Sequence, residues 1–292
     1  MNDQAASLRV IRGQRREPNH PPRTRQRAIA ITGGKGGVGK STIAVGLATA
    51  YVADGARTLL VDADFGMADL NLLLGVAPTR TLLDALDGTP VDDVLVIAHG
   101  IALLPAQNGS YALATMGTGA HRRTLEMIES LATRFDTIVL DVAAGIGASQ
   151  SQIAGAAADQ IIVVNPEPLS MADAYACIKV LAGHQGVRHV YVVPNRVTST
   201  AQADDVVGRL TELVNRFLDV QVTPLPAVPA DSSVSEAAIA GVPLLAHRPD
   251  SPAARAITRL ARALDTAASP DTRSDVARGF WRRHFTAGGD SL

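Results

Sequence analysis

Two lysines lie five residues apart in one glycine-rich run, TGGKGGVGKST, which spans Thr32 to Thr42. Within it Gly34, Lys35, Gly36, Gly37, Val38, Gly39, Lys40 and Ser41 satisfy the pattern GxxxxGK[ST], with Thr42 directly after. Glycines suit a loop whose backbone N–H groups close around phosphate oxygens, because a Cβ would fill the space an oxygen needs. A helix opening at Lys40 adds its positive end to the same anion. Lys40 is then placed to bridge the β- and γ-phosphates, and the Ser41 hydroxyl to ligate Mg2+. The bland alternative is a glycine-rich turn without a ligand. The apolar run Ala28–Ile31 before the loop and the helical pattern after it argue for the phosphate reading. One lysine is enough for this chemistry, so Lys35 needs a separate account.

Other chemical groups end other apolar runs. LLVDADFG carries Asp62 and Asp64, and TIVLDVAAGIG carries Asp141 and Gly145. A single Asp at a strand end is usually a turn or helix cap, but three beside one phosphate loop point to a metal shell. VVPNRV supplies Asn195, whose amide can both donate to and accept from an adenine edge. VPAD, with Pro229, Ala230 and Asp231, would bring backbone against the same base.

The elements that must position these groups read as short β-branched runs: Ala28–Thr32, Thr58–Asp62, Thr137–Asp141, Gln160–Asn165 and Val190–Asn195. Weaker strands are expected at Ile101–Leu104 and Val220–Leu225, and a last helix at Pro252–Leu264. Between them Leu125, Ile128, Leu131 and Phe135 share one helical face. This alternation predicts an α/β fold: a mainly parallel, twisted sheet with helices on both faces and ligands at the carboxyl ends of the strands.

The second lysine makes the loop similar to KGGxGK[ST], the deviant Walker A signature of MinD/ParA-type P-loop ATPases. The resemblance implies ATP and Mg2+ as cofactors and slow, dimer-dependent hydrolysis. It implies that Lys40 serves its own nucleotide, while Lys35 reaches across a homodimer interface to the partner's ATP. It further implies that Asp64 orients the attacking water, that Asp62 supports Lys40 and the magnesium shell, and that Asp141 is the Walker B carboxylate. By the same route Gly145 lies near the γ-phosphate, and Asn195 meets the base.

Three stretches resemble one branch, the flagellar number and placement regulators of FlhG/FleN/YlxH type. DADFGMADLNLLLG is similar to DADLGLANxDxLLG, and DVAAGIG…NPEPLSMADAYACIK to DTAAGIG…xxEPTSxxDAYxxIK. NDQAASLR at residues 2–9 is similar to the DQAxxLR element with which such proteins stimulate an SRP-type GTPase, FlhF. Asp3, Gln4, Leu8 and Arg9 are the positions this assigns to the partner GTPase. Flagellar switch-complex proteins and a flagellar transcription activator are further partners the branch implies. Two departures stand out. Asp69 and Asn71 reverse the usual Asn-x-Asp order, and Val142 replaces the usual Thr after the Walker B carboxylate.

Composition sets limits. The 292 residues are 47% apolar but only 3% aromatic, which suits a helix-covered parallel sheet better than a sandwich. One cysteine, Cys177, excludes an internal disulfide and the cysteine pair of an iron–sulfur carrier. The net charge of −1 is uneven: +5 on residues 1–27 and +2 on 276–292, leaving −8 on 28–275. The division expected is a basic tail (1–27), an ATPase domain (28–265), and a linker with a short amphipathic tail (266–292). That last tail places Phe280, Trp281 and Phe285 on one face flanked by arginines, a motif for an anionic membrane surface. With no signal peptide and no spanning run, the expected location is cytoplasmic and reversibly peripheral on the inner face of the cell membrane. An acidic body argues against direct DNA binding. A ParA-type DNA-partition ATPase and a low-turnover ATP-sensing scaffold remain the alternatives.

Overall fold

The computed structural model describes residues 27–107, 109 and 118–267. Eight strands are ordered β3-β4-β2-β5-β1-β6-β7-β8, and a two-residue β9 pairs with β7. They are β1 (Arg27–Thr32), β2 (Thr58–Ala63), β3 (Val96–Ala98), β4 (Ile101–Leu104), β5 (Thr137–Val142), β6 (Asp159–Val164), β7 (His189–Val197), β8 (Gln221–Pro224) and β9 (Val228–Pro229). Every pairing is parallel except β3 with β4. The central strands β1, β2, β5 and β6 are β-branched or leucine-rich, as burial on both faces requires.

Side-chain alternation divides the core into two layers. Ile29, Ile31, Leu60, Val139, Val163 and Val193 pack with α1 (Lys40–Ala53) and the C-terminal helix, including Ile43, Leu47, Ile257 and Leu260. Ala30, Leu59, Val61, Leu140, Val142, Ile162 and Val192 face the other way, toward Leu125, Ile128, Ile178 and Leu210. Those residues come from the helices at Thr118–Ala132 (α5), Pro168–Gln185 (α7) and Thr200–Phe217 (α8), with α6 at Ala148–Ala156 between. The shorter helices are α2 (Leu70–Leu73), α3 (Leu82–Leu86), α4 (Val91–Val94), α9 (Ser233–Ala240) and α10 (Leu244–His247); α11 (Pro252–Ala267) closes the described fold.

All seven strands read from the sequence are present, within one or two residues. The missed strands, β3 and β9, have three and two residues, too few to show a period. Two boundaries move. Arg27 belongs to β1 and not to the basic tail, because its guanidinium pairs with Asp159 at 2.6 Å and Asp265 at 3.3 Å. Thr266 and Ala267 belong to α11 and not to the linker, and the Thr266 hydroxyl donates to the carbonyls of Arg262 and Ala263.

The Arg27 contacts join the start of β1 to the start of β6 and the end of α11. Arg27→Ala leaves Asp159 nearly buried without its cation, and breaking such a pair costs about 3–5 kcal/mol. Urea unfolding should therefore show a lower midpoint for the variant with an unchanged slope.

Candidate nucleotide site

The glycine loop joins β1 to α1 at the carboxyl edge of the sheet, beside the ends of β2, β5, β6 and β7. Two glycines there have left-handed backbone, Gly37 at φ 75° and Gly39 at φ 98°. Others are needed for close approach. A Cβ on Gly34 would collide with the backbone of Asp173 in α7, and one on Gly39 with the Asn195 amide. Gly36 and Gly37 have open space where a Cβ would point, so the loop's outer side is the free one. Gly145, at φ 115°, donates its N–H to the Gly33 carbonyl at 3.3 Å and so lines the loop.

Parallel register places Asp62 of β2 directly beside Asp141 of β5. Both are buried, as is Lys40. Burial, then the neighbouring Asp141, pushes Asp62 well above the usual carboxylate range. Asp141 is pushed up to about 7 by burial, against the pull of Ser41 and Lys40 nearby. Among the described residues neither carboxylate oxygen of Asp141 has a hydrogen-bond partner. A buried, unpaired carboxylate next to a serine hydroxyl is an oxygen donor set suited to a hard divalent cation. Among the described residues no group of three His, Cys, Asp or Glu side chains forms a metal cage on its own. Mg2+ fits such a place, because it normally completes its shell with phosphate oxygens and water.

Asp64 is half-buried and accepts the Met67 N–H at 3.0 Å, so its carboxylate is held by a local turn. Asp62 accepts the backbone N–H groups of Asp64 (3.2 Å) and Leu70 (3.4 Å). The expected support of Lys40 by Asp62 is thus not a direct hydrogen bond; backbone donors that shape the following turn occupy it instead. Sequence reasoning gave Asp69 no contact, yet it belongs to the site. It stands at the head of α2 and lies close enough to Ser41, Lys40 and Asp64 to feel all three, with its carboxyl raised mainly by burial. The signal was a third aspartate closing DADFGMAD after Asp62 and Asp64, but spacing alone does not fold the turn back. Asn71 instead donates to the Val76 carbonyl at 3.4 Å and closes a turn. Val142 is fully buried in the layer opposite Asp141, so its lost hydroxyl concerns packing and not the cation.

The two lysines are separated as their types require. Lys40 is buried at the head of α1, while the Lys35 side chain is 40% exposed and pairs with Glu167 at 2.9 Å. Asn195 donates to the Val38 carbonyl at 2.7 Å. The Ala230 N–H is held by the Val197 carbonyl, and Asp231 accepts from the N–H groups of Ser233 (2.9 Å) and Ala253 (3.0 Å). The β7–β9 register sets Val228 opposite Asn195 and Pro229 opposite Val197, and the Asp231 carboxylate fixes α9 and α11. A separate cleft of about 640 Å³ shares Pro229 but contains none of the loop residues. Asp3, Gln4, Leu8, Arg9, Phe280, Trp281 and Phe285 lie outside the described residues.

A family model described as "ParA: NUBPL iron-transfer P-loop NTPase" matches residues 24–265. The chain belongs to the MinD/ParA family of P-loop ATPases. It is 37% identical to the antiactivator FleN of Pseudomonas aeruginosa over 211 residues, 72% of this chain and 75% of FleN. It is 31% identical to the flagellum site-determining protein YlxH of Helicobacter pylori, covering 68% of each chain. These two relatives support the flagellar-number-regulator branch of the MinD/ParA family. The septum site-determining protein MinD of Pyrococcus horikoshii, solved with Mg-ADP, superimposes with a TM-score of 0.69 at 27% identity, over 82% of this chain and 96% of that one. No helix among the described residues is long and apolar enough to cross a membrane.

Below about pH 4 the Asp141 carboxyl is protonated in folded and unfolded chains alike and has no effect on stability. Between there and about pH 7 only the unfolded chain ionises it, so stability falls as pH rises. Above that the penalty is complete. Without metal or nucleotide, Asp141→Asn should raise the thermal midpoint at about pH 8 and leave it unchanged near pH ~3.5, while abolishing magnesium-dependent nucleotide binding.

Proposed function

We propose that this chain is an ATP-dependent dimerising switch ATPase that regulates flagellar number and placement. The observation that carries the reading is the opposite placement of its two lysines. Lys40 is buried among carboxylates at the phosphate loop, whereas Lys35 is turned outward into a surface ion pair with Glu167. An exposed pair of that kind contributes about 0–1 kcal/mol and is readily exchanged for another anion. At the same carboxyl edge of the sheet Met67, Ile146 and Leu169 are 72%, 53% and 70% exposed, on the turns after β2 and β5 and at the start of α7. Exposed apolar side chains on the edge that carries a charged loop favour a face that a second copy covers.

Gly34 to Thr42 and Lys40 hold the triphosphate, with Ser41, Asp62 and Asp141 toward Mg2+. Magnesium held there would neutralise charge on the phosphates. Asp64 orients the attacking water, and Lys35 reaches the partner's phosphates. Gly145 approaches the γ-phosphate, while Asn195, Pro229 and Ala230 meet the base. The basic segment 1–26 stimulates an SRP-type, FlhF-like GTPase through Asp3, Gln4, Leu8 and Arg9. Phe280, Trp281 and Phe285 bring the dimer to the anionic inner membrane surface. The similarity to an antiactivator makes a flagellar transcription activator a fitting partner, with switch-complex proteins beside it. Iron transfer is disfavoured, since the one cysteine is buried and its thiol is pushed up to about 11 by burial.

Size-exclusion chromatography with light scattering separates the roles. Lys40→Ala should lose ATP-dependent dimerisation together with ATP binding. Lys35→Ala should retain most ATP binding and lose the dimer; equal loss of binding in both variants contradicts a lysine acting across the interface. Asp64→Ala should accumulate the ATP dimer while phosphate release falls by roughly a hundredfold or more, the scale of losing one positioned catalytic group.

The N-terminal segment is tested on its partner. A peptide of residues 1–25 should raise GTP turnover by an FlhF-type GTPase, and Gln4→Ala should remove most of that gain. A basal rate with the wild-type peptide means the segment has another task.

A further inference from the structure

We infer that three arginines on the outer face of α11, Arg255, Arg259 and Arg262, form a docking surface for the phosphate headgroups of an anionic bilayer. The inference rests on the membrane reading above and adds to the C-terminal segment a second contact, made by the folded body itself.

Two unlike faces run along α11. Ala253, Ala256, Ile257, Leu260, Ala261 and Leu264 are buried in the layer shared with α1. Arg255, Arg259 and Arg262 are exposed. At 3.6 residues per turn, steps of four and three residues confine them to a sector of about 60° and spread them over about 10 Å of helix. They form one narrow stripe.

Their charge is not spent inside the protein. Ion pairs with nearby carboxylates hold Arg57, Arg80, Arg122, Arg134 and Arg209. The side chains of Arg255, Arg259 and Arg262 make no ion pair or hydrogen bond among the described residues. Arg259 and Asp204 border the same cleft without pairing. Asp265, three residues beyond Arg262, contacts Arg27 at 3.3 Å instead. Three free guanidinium groups on a body of net charge −8 (residues 28–275) are a surface kept for an anion. Phosphate oxygens suit them, because each planar fork can donate two parallel hydrogen bonds.

Continuity of the chain favours lipid over nucleic acid. Beyond α11 the sequence carries Arg278, Arg282 and Arg283 with Phe280, Trp281 and Phe285. Aromatic side chains among arginines gain from a bilayer interface, where hydrocarbon lies beneath the headgroups; the outside of a duplex offers none. From Ala267 an extended chain reaches Phe280 within about 45 Å, so stripe and aromatics can rest on one flat surface. The body's own charge then sets its orientation. Screening confines electrostatic contact to about 8–10 Å, so only the face nearest the lipid counts. An acidic body is held off an anionic surface unless its cationic face is turned toward it, which lays α11 along the bilayer.

Vesicle flotation of the full chain with Mg-ATPγS tests this, with phosphatidylglycerol mixed into phosphatidylcholine. One arginine at such a surface is worth about fivefold in affinity, so Arg259→Gln should bind at least about fivefold more weakly. Glutamine at all three positions should weaken binding roughly a hundredfold or more. Lysine at all three should recover most of the loss, since the attraction is mainly to charge. Because the side chains are exposed, every variant should still dimerise with ATP. Vesicles of phosphatidylcholine alone should not distinguish the triple glutamine variant from wild type. If that variant holds anionic vesicles as tightly as wild type, the stripe is overturned; release of Trp281→Glu in the same assay leaves the tail reading standing. The reverse pair of results keeps the stripe and overturns the tail. Wild type that ignores anionic vesicles overturns both. Salt-dependent binding of a DNA duplex that the triple variant loses, with vesicle binding unchanged, makes the stripe a nucleic-acid surface and sinks the inference.

Discussion

Two aspartates side by side in a parallel sheet, with no positive charge between them, set the terms for the rest of this molecule. Asp62 and Asp141 are register partners on β2 and β5, buried at the carboxyl edge. Like charges at that spacing in a low-dielectric place cannot both ionise without a counter-charge. Lys40 supplies part of one, but among the described residues Asp141 still has two unpartnered oxygens. The site is thus built for a cation that arrives with its ligand. Backbone geometry around it follows from the same requirement. The turn after β2 is pinned to Asp62 by the N–H groups of Asp64 and Leu70, which carries Asp69 back toward Ser41. A shift of the Asp62 carboxylate would reach the turn through the Asp64 N–H and α2 through the Leu70 N–H.

On the other side of the loop the constraint is steric. Gly34 abuts the backbone of Asp173, and Lys35 is tied to Glu167 just before α7. Gly39 makes room for Asn195. The loop is clamped between the ends of β6 and β7 and the first turns of α7, and its free side lies at Gly36 and Gly37. Lys35, half exposed, stands on that same free side.

Much of this was legible in the sequence, and the reason differs by residue. The phosphate loop was legible because glycine, lysine and serine at fixed spacing answer to one local geometry. Six of the seven strands were legible because burial on both faces leaves continuous apolar runs, whereas β8, exposed or half-buried along its length, showed only a weak pattern. Asp141 and Asp62 were legible as strand-end carboxylates, but their adjacency depends on a strand order, β2-β5-β1, that no local pattern encodes. Asp69 was illegible for the same reason: only the turn pinned on Asp62 brings it to Ser41. The capping role of Asp231 was hidden because its two partners are 2 and 22 residues away.

The opposite pole of the domain completes the physical picture. Strands β1 and β6 begin there, and α11 ends there, because Arg27 contacts both Asp159 and Asp265. The chain segments before Arg27 and after Ala267 are therefore rooted side by side. A six-residue strand spans about 20 Å, so both roots lie roughly that far from the phosphate loop at the other end of β1. No described hydrogen bond or ion pair of Arg27 reaches the loop. A nucleotide can thus influence these segments in two ways: by altering the packing of α1 and α11 on the sheet, or by bringing two copies together. The first is resisted by the apolar contact of Gly46 and Ile257, where a Cβ would already meet the isoleucine at 2.9 Å. Such close packing transmits little movement without a large cost. Association of two copies needs no such movement. It doubles the number of rooted segments on the assembly and raises their combined affinity for any surface they both touch.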